Sequence, residues 1–492
     1  MAITALGMAG EFRSPINGDA AWLLHAAGRV LDGDRLYVDL LETNPPLAVW
    51  LKLPVVAGAR LAGASPITVY RLFVLALALG STLACTLLLA RALPSPKESA
   101  RSIFPLAVAL VLFVLPAPFF GQREHLALAL ALPYLVASAS AYQAARLGLG
   151  AETLVGAAAA VGLALKPPFL IIWAGVLAYG LLRQRRLRAM DLCIAVSLVI
   201  YALAVVLITP EFLRLAWLLG EPFLQYSRRP VLVILTQNTF AWSAILTLLL
   251  YIAVRGIVRH SVLADHLAIG VAGFLLALVI QGKGYGYHYL PALGTSIILL
   301  AVILSGASES RRPLLRAAAV VGAATLMLGG SAFLVHATAR RAAGKLSAID
   351  REMVETAEFV SARAAGAQVA VLSSRLADAF PMMLYTRAHW ALRFPNLWFA
   401  QVYGRRSEPG ALPGSALWSV RTVAEDLERR RPALILVRRP EAGGGLDADL
   451  DYVRFLSQDV TFRCQFSRYR QTGNSGPFLV YQRQPVSSCR VR

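Results

Sequence analysis

Apolar runs that approach or reach the roughly 20 residues needed to cross a bilayer recur from about Val69 to Val335, separated by short connectors rich in arginine. Nothing constrains the chain more. A backbone crossing hydrocarbon must satisfy its own hydrogen bonds, so each run is expected to be helical. With 57% hydrophobic and 15% charged residues, the sequence reads as a polytopic α-helical membrane protein.

About ten spans are visible by this criterion: residues 69–90, 103–120, 126–142, 154–165, 169–182, 191–208, 240–254, 266–280, 289–304 and 317–335. The basic connectors alternate with polar, motif-bearing ones. Arg91, Lys97 and Arg101, then Arg146, then Arg183, Arg185, Arg186 and Arg188, then Arg255 and Arg259, then Arg311, Arg312 and Arg316 all fall on one side. The positive-inside rule makes that side cytoplasmic. The net charge of +20 is thereby a topology bias and not a sign of nucleic-acid binding. An even number of spans puts the N-terminus outside, yet residues 1–16 are broken by Glu11, Arg13 and Pro15 and are too short to cross. A first span is therefore expected to be missing from the chain as written.

From His336 the composition turns mixed and arginine-rich. Residues 368–373 and 433–438 read as strands, 420–430 as a helix, and 460–469 with 478–482 as a terminal strand pair. Three regions follow: an N-terminal segment and first outside loop (1–68), a membrane domain (69–335), and an extracytoplasmic α/β domain (336–492) of about 150 residues. Gly443-Gly444-Gly445 does not sit in the strand-to-helix turn of a phosphate loop. Cys85 and Cys193 lie in apolar runs as packing residues, whereas Cys464 and Cys489 can pair if the tail is outside the cytoplasm. No His/Cys cluster or dense carboxylate cluster points to a metal, and no cofactor is expected.

The most informative stretch is Asn17 to Gly63. After Asn17-Gly18-Asp19, apolar Trp22, Leu23, Ala26, Ala27, Val30 and Leu31 recur at helical spacing, with His25, Arg29 and Asp32 on another face. That predicts a helix lying on a membrane surface. Gly33-Asp34 breaks it, Leu36-Tyr37-Val38-Asp39 follows, and Glu42-Thr43-Asn44 leads into Pro45-Pro46, where a second short helix begins.

An Asp-bearing amphipathic helix, a G-D-x-L-Y-x-D segment and an acidic residue just before P-P-L together resemble the first extracytoplasmic loop of the GT-C glycosyltransferases. The pattern is similar to that of the protein O-mannosyltransferases and the lipid A aminoarabinose transferases. The resemblance implies an enzyme of the bacterial inner membrane that takes a sugar from a polyprenyl-phosphate carrier and passes it, with inversion and without a nucleotide sugar, to a hydroxyl on a lipid, glycan or protein acceptor. Its partners would be that carrier, the acceptor and membrane lipids. Such a transfer needs a base for the acceptor's proton and cations for the departing phosphate.

Asp19 matches the family's acidic position and is the expected base; its other reading is a helix cap. Glu42 is similar in kind, but Thr43 and Asn44 intervene where the aminoarabinose transferases have a Lys-Pro-Pro, and capping is again open. Gln122-Arg123-Glu124-His125 places four polar residues at the membrane surface. Glu124 is expected to orient acceptor or sugar, Arg123 to hold phosphate, and Gln122 and His125 to touch sugar or lipid, against the alternative of a snorkelling turn. Lys166-Pro167-Pro168 resembles the family's Lys-Gly-Pro, which implies donor-phosphate binding by Lys166, although a boundary lysine also serves as an anchor. Arg228-Arg229 can bind phosphate or lipid head groups. In Gly282-Lys283-Gly284-Tyr285-Gly286-Tyr287-His288, Lys283 and His288 are expected to neutralise the carrier phosphate and Tyr285 and Tyr287 to stack on sugar or isoprenoid. Two other classes stay open. A transporter would need ionisable groups near mid-membrane, and a non-catalytic lipid-binding assembly subunit would keep the cations yet tolerate loss of the acid.

Overall fold

The computed structural model describes residues 2–92, 98–140, 147–185, 187–258, 261–307, 311–404, 412–442 and 450–485. Lys97, Tyr142, Arg146, Arg186, Arg259, Gly443 to Gly445 and Cys489 lie outside the described residues. In chain order the helices are α1 (Ala2–Phe12), α2 (Gly18–Leu31), α3 (Leu47–Trp50), α4 (Leu53–Leu61), α5 (Pro66–Ala92), α6 (Glu98–Ala109), α7 (Arg123–Ser140), α8 (Leu149–Ala164), α9 (Leu170–Gln184) and α10 (Ala189–Ile208). They continue with α11 (Glu211–Gln225), α12 (Val231–Thr236), α13 (Thr239–Val254), α14 (Ser261–Gln281), α15 (Gly286–Ala307) and α16 (Pro313–Ala342). The tail adds α17 (Ala348–Ala364), α18 (Met382–Tyr385), α19 (Trp398–Tyr403), α20 (Gly414–Arg430), α21 (Tyr452–Leu456) and α22 (Val460–Phe466). Its strands are β1 (Gln368–Leu372), β2 (His389–Trp390), β3 (Leu434–Arg438), β4 (Tyr469–Ser475) and β5 (Phe478–Arg483).

The chain is a polytopic membrane protein: among the described residues 6 helices, beginning at Pro66, Ala189, Thr239, Val262, Gly286 and Pro313, are long and apolar enough to cross a bilayer. The apolar stretches Ala2–Phe12, Ser102–Val114, Leu149–Ala164 and Pro167–Arg183 are helical but shorter.

Two compact units result. The first comprises Met1–Ser14, Ala62–Ala204 and Arg229–Lys345. Its central element is α15, buried along almost its whole length between α14, α16, α13 and α7. The segment ahead of Ser14, read from sequence as broken, is the helix α1, packed on α16 and on the π-helical turn Leu110–Val114. Its Glu11 is buried, and Arg71 of α5 donates to it from Nε at 3.1 Å and to the Ser14 carbonyl from Nη2 at 2.5 Å. A charge in an apolar run is tolerable when paired in this way.

Polar networks mark both ends of this bundle. At one end Asp191 accepts from Tyr134 at 2.7 Å and from Arg188, while Asp265 accepts from Tyr179 at 2.7 Å, Tyr251 at 2.6 Å and Nε and Nη2 of Arg255. At the other end lie the first turn of α7, the turn after α8 and the loop between α14 and α15, which carry the motif residues.

The second unit comprises Pro15–Leu61, Val205–Arg228 and Leu346–Arg492. Its sheet has the order β2-β1-β3-β5-β4. β1 pairs in parallel with β2 and β3, in register Val369↔Leu434, and β5 closes antiparallel on β3. β3 is buried throughout and β1 nearly so, as in parallel strands covered on both faces. One sequence expectation fails here. Residues 460–466 form α22, not a strand, because Asp459 caps the helix, its Oδ1 accepting from Thr461 N at 2.8 Å and Phe462 N at 3.0 Å. The hairpin partner of β5 is instead β4. Cys464 is disulfide-bonded, and Cys85 and Cys193 are free thiols, the former buried.

Replacing Arg71 by Met strands the Glu11 carboxylate in the bundle. The expected loss of stability is about 3–5 kcal/mol, and adding Glu11→Gln recovers most of it, read by unfolding of the detergent-solubilised protein.

Candidate functional site

Lys166 shows how the sequence builds the first unit's site. A residue before proline is driven into the extended region, and Lys166, ahead of Pro167-Pro168, has φ −146° and ψ 125°. Its side chain is buried together with Glu124 and His288. The ammonium donates to Glu124 Oε1, to Gln281 Oε1 at 2.8 Å and to His288 Nε2 at 3.3 Å. A lysine has three donors and no acceptor, so His288 Nε2 must be the accepting nitrogen and Nδ1 carries the proton. Among the described residues His288 Nδ1, Glu124 Oε2 and Gln122 Oε1 are buried without a hydrogen-bond partner.

Arg123 and Lys283, both buried, place two further positive charges within electrostatic reach of His288. The Lys283 loop owes its shape to Gly282 (φ +68°) and Gly284 (φ +61°), left-handed positions at which a side chain would be strained. Arg229 donates its backbone N–H to Gly282 O at 2.8 Å, and its stem runs past Gly284. Tyr287 sits 5.5 Å from the Lys166 ammonium and edge-on to His288 at 4.6 Å, and Tyr285 lies 5.6 Å from Tyr287. Both tyrosines remain half-exposed. The first unit thus brings Gln122, Arg123, Glu124, Lys166, Arg229, Lys283, Tyr285, Tyr287 and His288 to one end of the bundle. His125 is occupied differently. Its Nδ1 accepts from Gly121 N at 3.1 Å and its Nε2 meets Leu112 O at 3.0 Å, so both ring nitrogens serve the fold.

The second unit holds the opening loop. Asn17, not Asp19, caps α2, its side chain accepting from Ala20 N at 2.9 Å. Asp19 stands in the first helical turn, half-exposed. The helix is more enclosed than a surface-lying one, with Ala20 to Leu24, Ala26 and Ala27 all buried, because alanines let α3 and α4 approach closely. Glu42 is buried and closes the loop, accepting from Trp22 Nε1 at 2.6 Å and Asn44 N at 2.8 Å. Lys52, between α3 and α4, escaped the sequence analysis. It is 1% exposed and donates to Ala48 O at 3.3 Å. A single lysine within the apolar run Leu47 to Val56 was the available signal. Arg228 ends the middle segment of this unit and is exposed. Among the described residues no group of three His, Cys, Asp or Glu is arranged to hold a metal ion.

No protein-family model matches the chain, and no curated protein matches it. Solved structures do. ArnT from Cupriavidus metallidurans bound to undecaprenyl phosphate superposes with a TM-score of 0.58 at 13% identity, over 98% of this chain and 96% of that one. The fold is that of the GT-C glycosyltransferases. The same protein in the apo state gives 0.52 at 14% identity, with the same coverage. The Archaeoglobus fulgidus oligosaccharyltransferase tethered to an acceptor peptide gives 0.50 at 10%, over 98% of this chain and 73% of its own.

Two predictions follow from the geometry. Lys166→Met and Glu124→Gln each lower the unfolding midpoint, while the double variant loses less than the sum, with a coupling of about 0.5–3 kcal/mol in a double-mutant cycle. The second concerns His25, packed between Trp22 and Phe380 at ring-centroid distances of 5.8 and 5.2 Å. Burial, with the nearby charge of Arg29, holds its pKa down at about 3. The folded chain therefore resists a proton that the unfolded chain accepts near 6.5. Stability contributed by His25 is present above pH 6.5 and lost as pH falls toward 3. His25→Phe should flatten the pH dependence of the unfolding midpoint in that window.

Proposed function

We propose that the chain is a glycosyltransferase of the bacterial inner membrane that moves a hexosyl or pentosyl group from a polyprenyl-phosphate carrier to an acceptor hydroxyl on the extracytoplasmic side. The observation that carries this is the buried Glu124–Lys166–His288 cluster, ringed by Arg123 and Lys283, within a fold of the GT-C type. Lys283, Arg123, Arg229 and His288 Nδ1–H supply donors of the kind a phosphate accepts. Lys166, with its donors already engaged, fixes the cluster. Glu124 Oε2 remains an acceptor for a hydroxyl of sugar or acceptor substrate, and the faces of Tyr285 and Tyr287 suit a sugar ring or isoprenoid.

In this mechanism Asp19 takes the proton of the acceptor hydroxyl. The freed oxygen attacks the sugar C1 from the side opposite the phosphate, the C1–O bond to phosphate breaks with its electron pair, and the configuration inverts. That the N-cap of α2 is Asn17 supports reading Asp19 as the base. Glu42 helps by holding the loop through Trp22 and Asn44. The alternative of a transporter is disfavoured by the position of the motif residues, which stand at helix ends and not along mid-membrane turns.

The decisive variant is Asp19→Asn. Transfer from whichever of a panel of undecaprenyl-phosphate hexoses and pentoses the wild type uses should fall about 100-fold or more, with undecaprenyl phosphate still bound. Wild-type turnover in this variant removes Asp19 as the base, and a wild type that releases no sugar from any donor favours the lipid-binding subunit. Lys283→Met should instead weaken binding of undecaprenyl phosphate.

A further inference from the structure

Within the second unit the tail domain grips two other segments of the chain. The start of α2 meets the loop after β1. An added Cβ at Gly18 would stand 2.6 Å from the Phe380 carbonyl oxygen, inside any real contact, and the neighbour is backbone. Two residues earlier, Ile16 N–H donates to Tyr385 Oη at 3.1 Å. One turn later, the Phe380 ring packs against Trp22 and His25, each at 5.2 Å. At Leu41, next to Glu42, the backbone is tied again, Leu41 N–H donating to Arg393 O at 2.9 Å, while the Arg393 side chain is itself pinned to Asp426 of α20 at 2.7 Å.

The same stretch of the tail holds the segment that ends at Arg228. Tyr226 Oη donates to Ser374 O at 3.3 Å, and Ser227 Oγ to Gln401 Oε1 at 3.2 Å. Trp398 lies edge-on to Phe223 at 5.2 Å. Ser374 is not free to adjust, being fully buried and fixed by Tyr452, whose hydroxyl accepts from its N–H at 3.0 Å, and by Asn396.

We propose that residues 374–401 of the tail domain are a positioning element for the transfer reaction, setting the place of Asp19 through Gly18, Phe380 and Tyr385. The proposal rests on the glycosyltransferase function above. Gly18 and Asp19 are consecutive in the first turn of one helix, so whatever fixes the first fixes the second. A carbonyl oxygen that a methyl group cannot pass leaves the helix start one position, and a base displaced by about 1 Å can lose about 100-fold in rate. None of these tail residues touches a reacting atom; they act through the placement of the acid.

The test uses the full chain in lipid nanodiscs. Gly18→Ala should lower kcat about 10- to 100-fold, and Tyr385→Phe, which keeps the ring and removes one hydrogen bond, about fivefold. KM for the lipid-linked sugar and affinity for undecaprenyl phosphate should stay within about twofold in both, and α2 amides from Ala20 to Leu24 should exchange hydrogen faster. Tyr481→Phe, in the terminal hairpin, should leave all four readouts unchanged. Wild-type kcat in Gly18→Ala, unchanged exchange in α2, or an equal loss of carrier affinity in both variants overturns the proposal. If the wild type transfers no sugar, the glycosyltransferase function fails, while the exchange measurement still decides whether the tail holds the helix.

Discussion

The first unit depends on one buried ammonium group. Lys166 is far too costly to bury alone, and its three donors are met by residues from three separate places in the chain: Glu124 at the head of α7, Gln281 at the foot of α14 and His288 in the first turn of α15. Satisfying that charge draws three helix ends together. The Gly282–Gly286 loop is then confined between two of its partners, and Tyr287 closes over the cation. Replacing such a cluster by hydrophobic residues is often neutral or stabilising, so the pairing is weak evidence for stability, and among the described residues it leaves Glu124 Oε2 and His288 Nδ1 buried without a partner.

Much of this was legible because it is local. Lys166 before two prolines, the Gly-Lys-Gly spacing around Lys283 and the polar turn at Gln122 to His125 each declare themselves within a few residues. So did the helix after Asn17. What escaped were partners far apart in sequence. Nothing near Glu11 announces Arg71, nothing near Gly18 announces Phe380, and the helical shape of residues 460–466 turns on a single cap at Asp459 in a segment whose Val, Thr and Phe favour strand. Lys52 was visible as a letter but not as a buried charge, since burial is a property of packing. His125 shows the converse: its position among Gln122, Arg123 and Glu124 invites a ligand role, yet both ring nitrogens hold the turn that presents its neighbours.

On the proposed positioning role, the tail has a part in the transfer that its own strands do not reveal. Its sheet carries no phosphate loop among the described residues, and its polar network around Ser374 is occupied internally. Its significance lies in the loops between β1 and α19, which take hold of the chain on either side of the acid-bearing helix. Such a role would need rigidity more than reactivity, and Arg393 is anchored twice, on Asp426 and Glu425.

The networks at the two ends of α14 have a bearing on the lipid around them. Asp265 near its start is clasped by Tyr179, Tyr251 and Arg255, and Gln281 at its end by Lys166. These anchors are separated by about 24 Å of helix at 1.5 Å per residue. A helix held at both ends cannot slide against its neighbours, so the loop after it keeps its place in the bundle, and a thinner or thicker membrane must be met by tilt of the whole bundle or by deformation of the lipid.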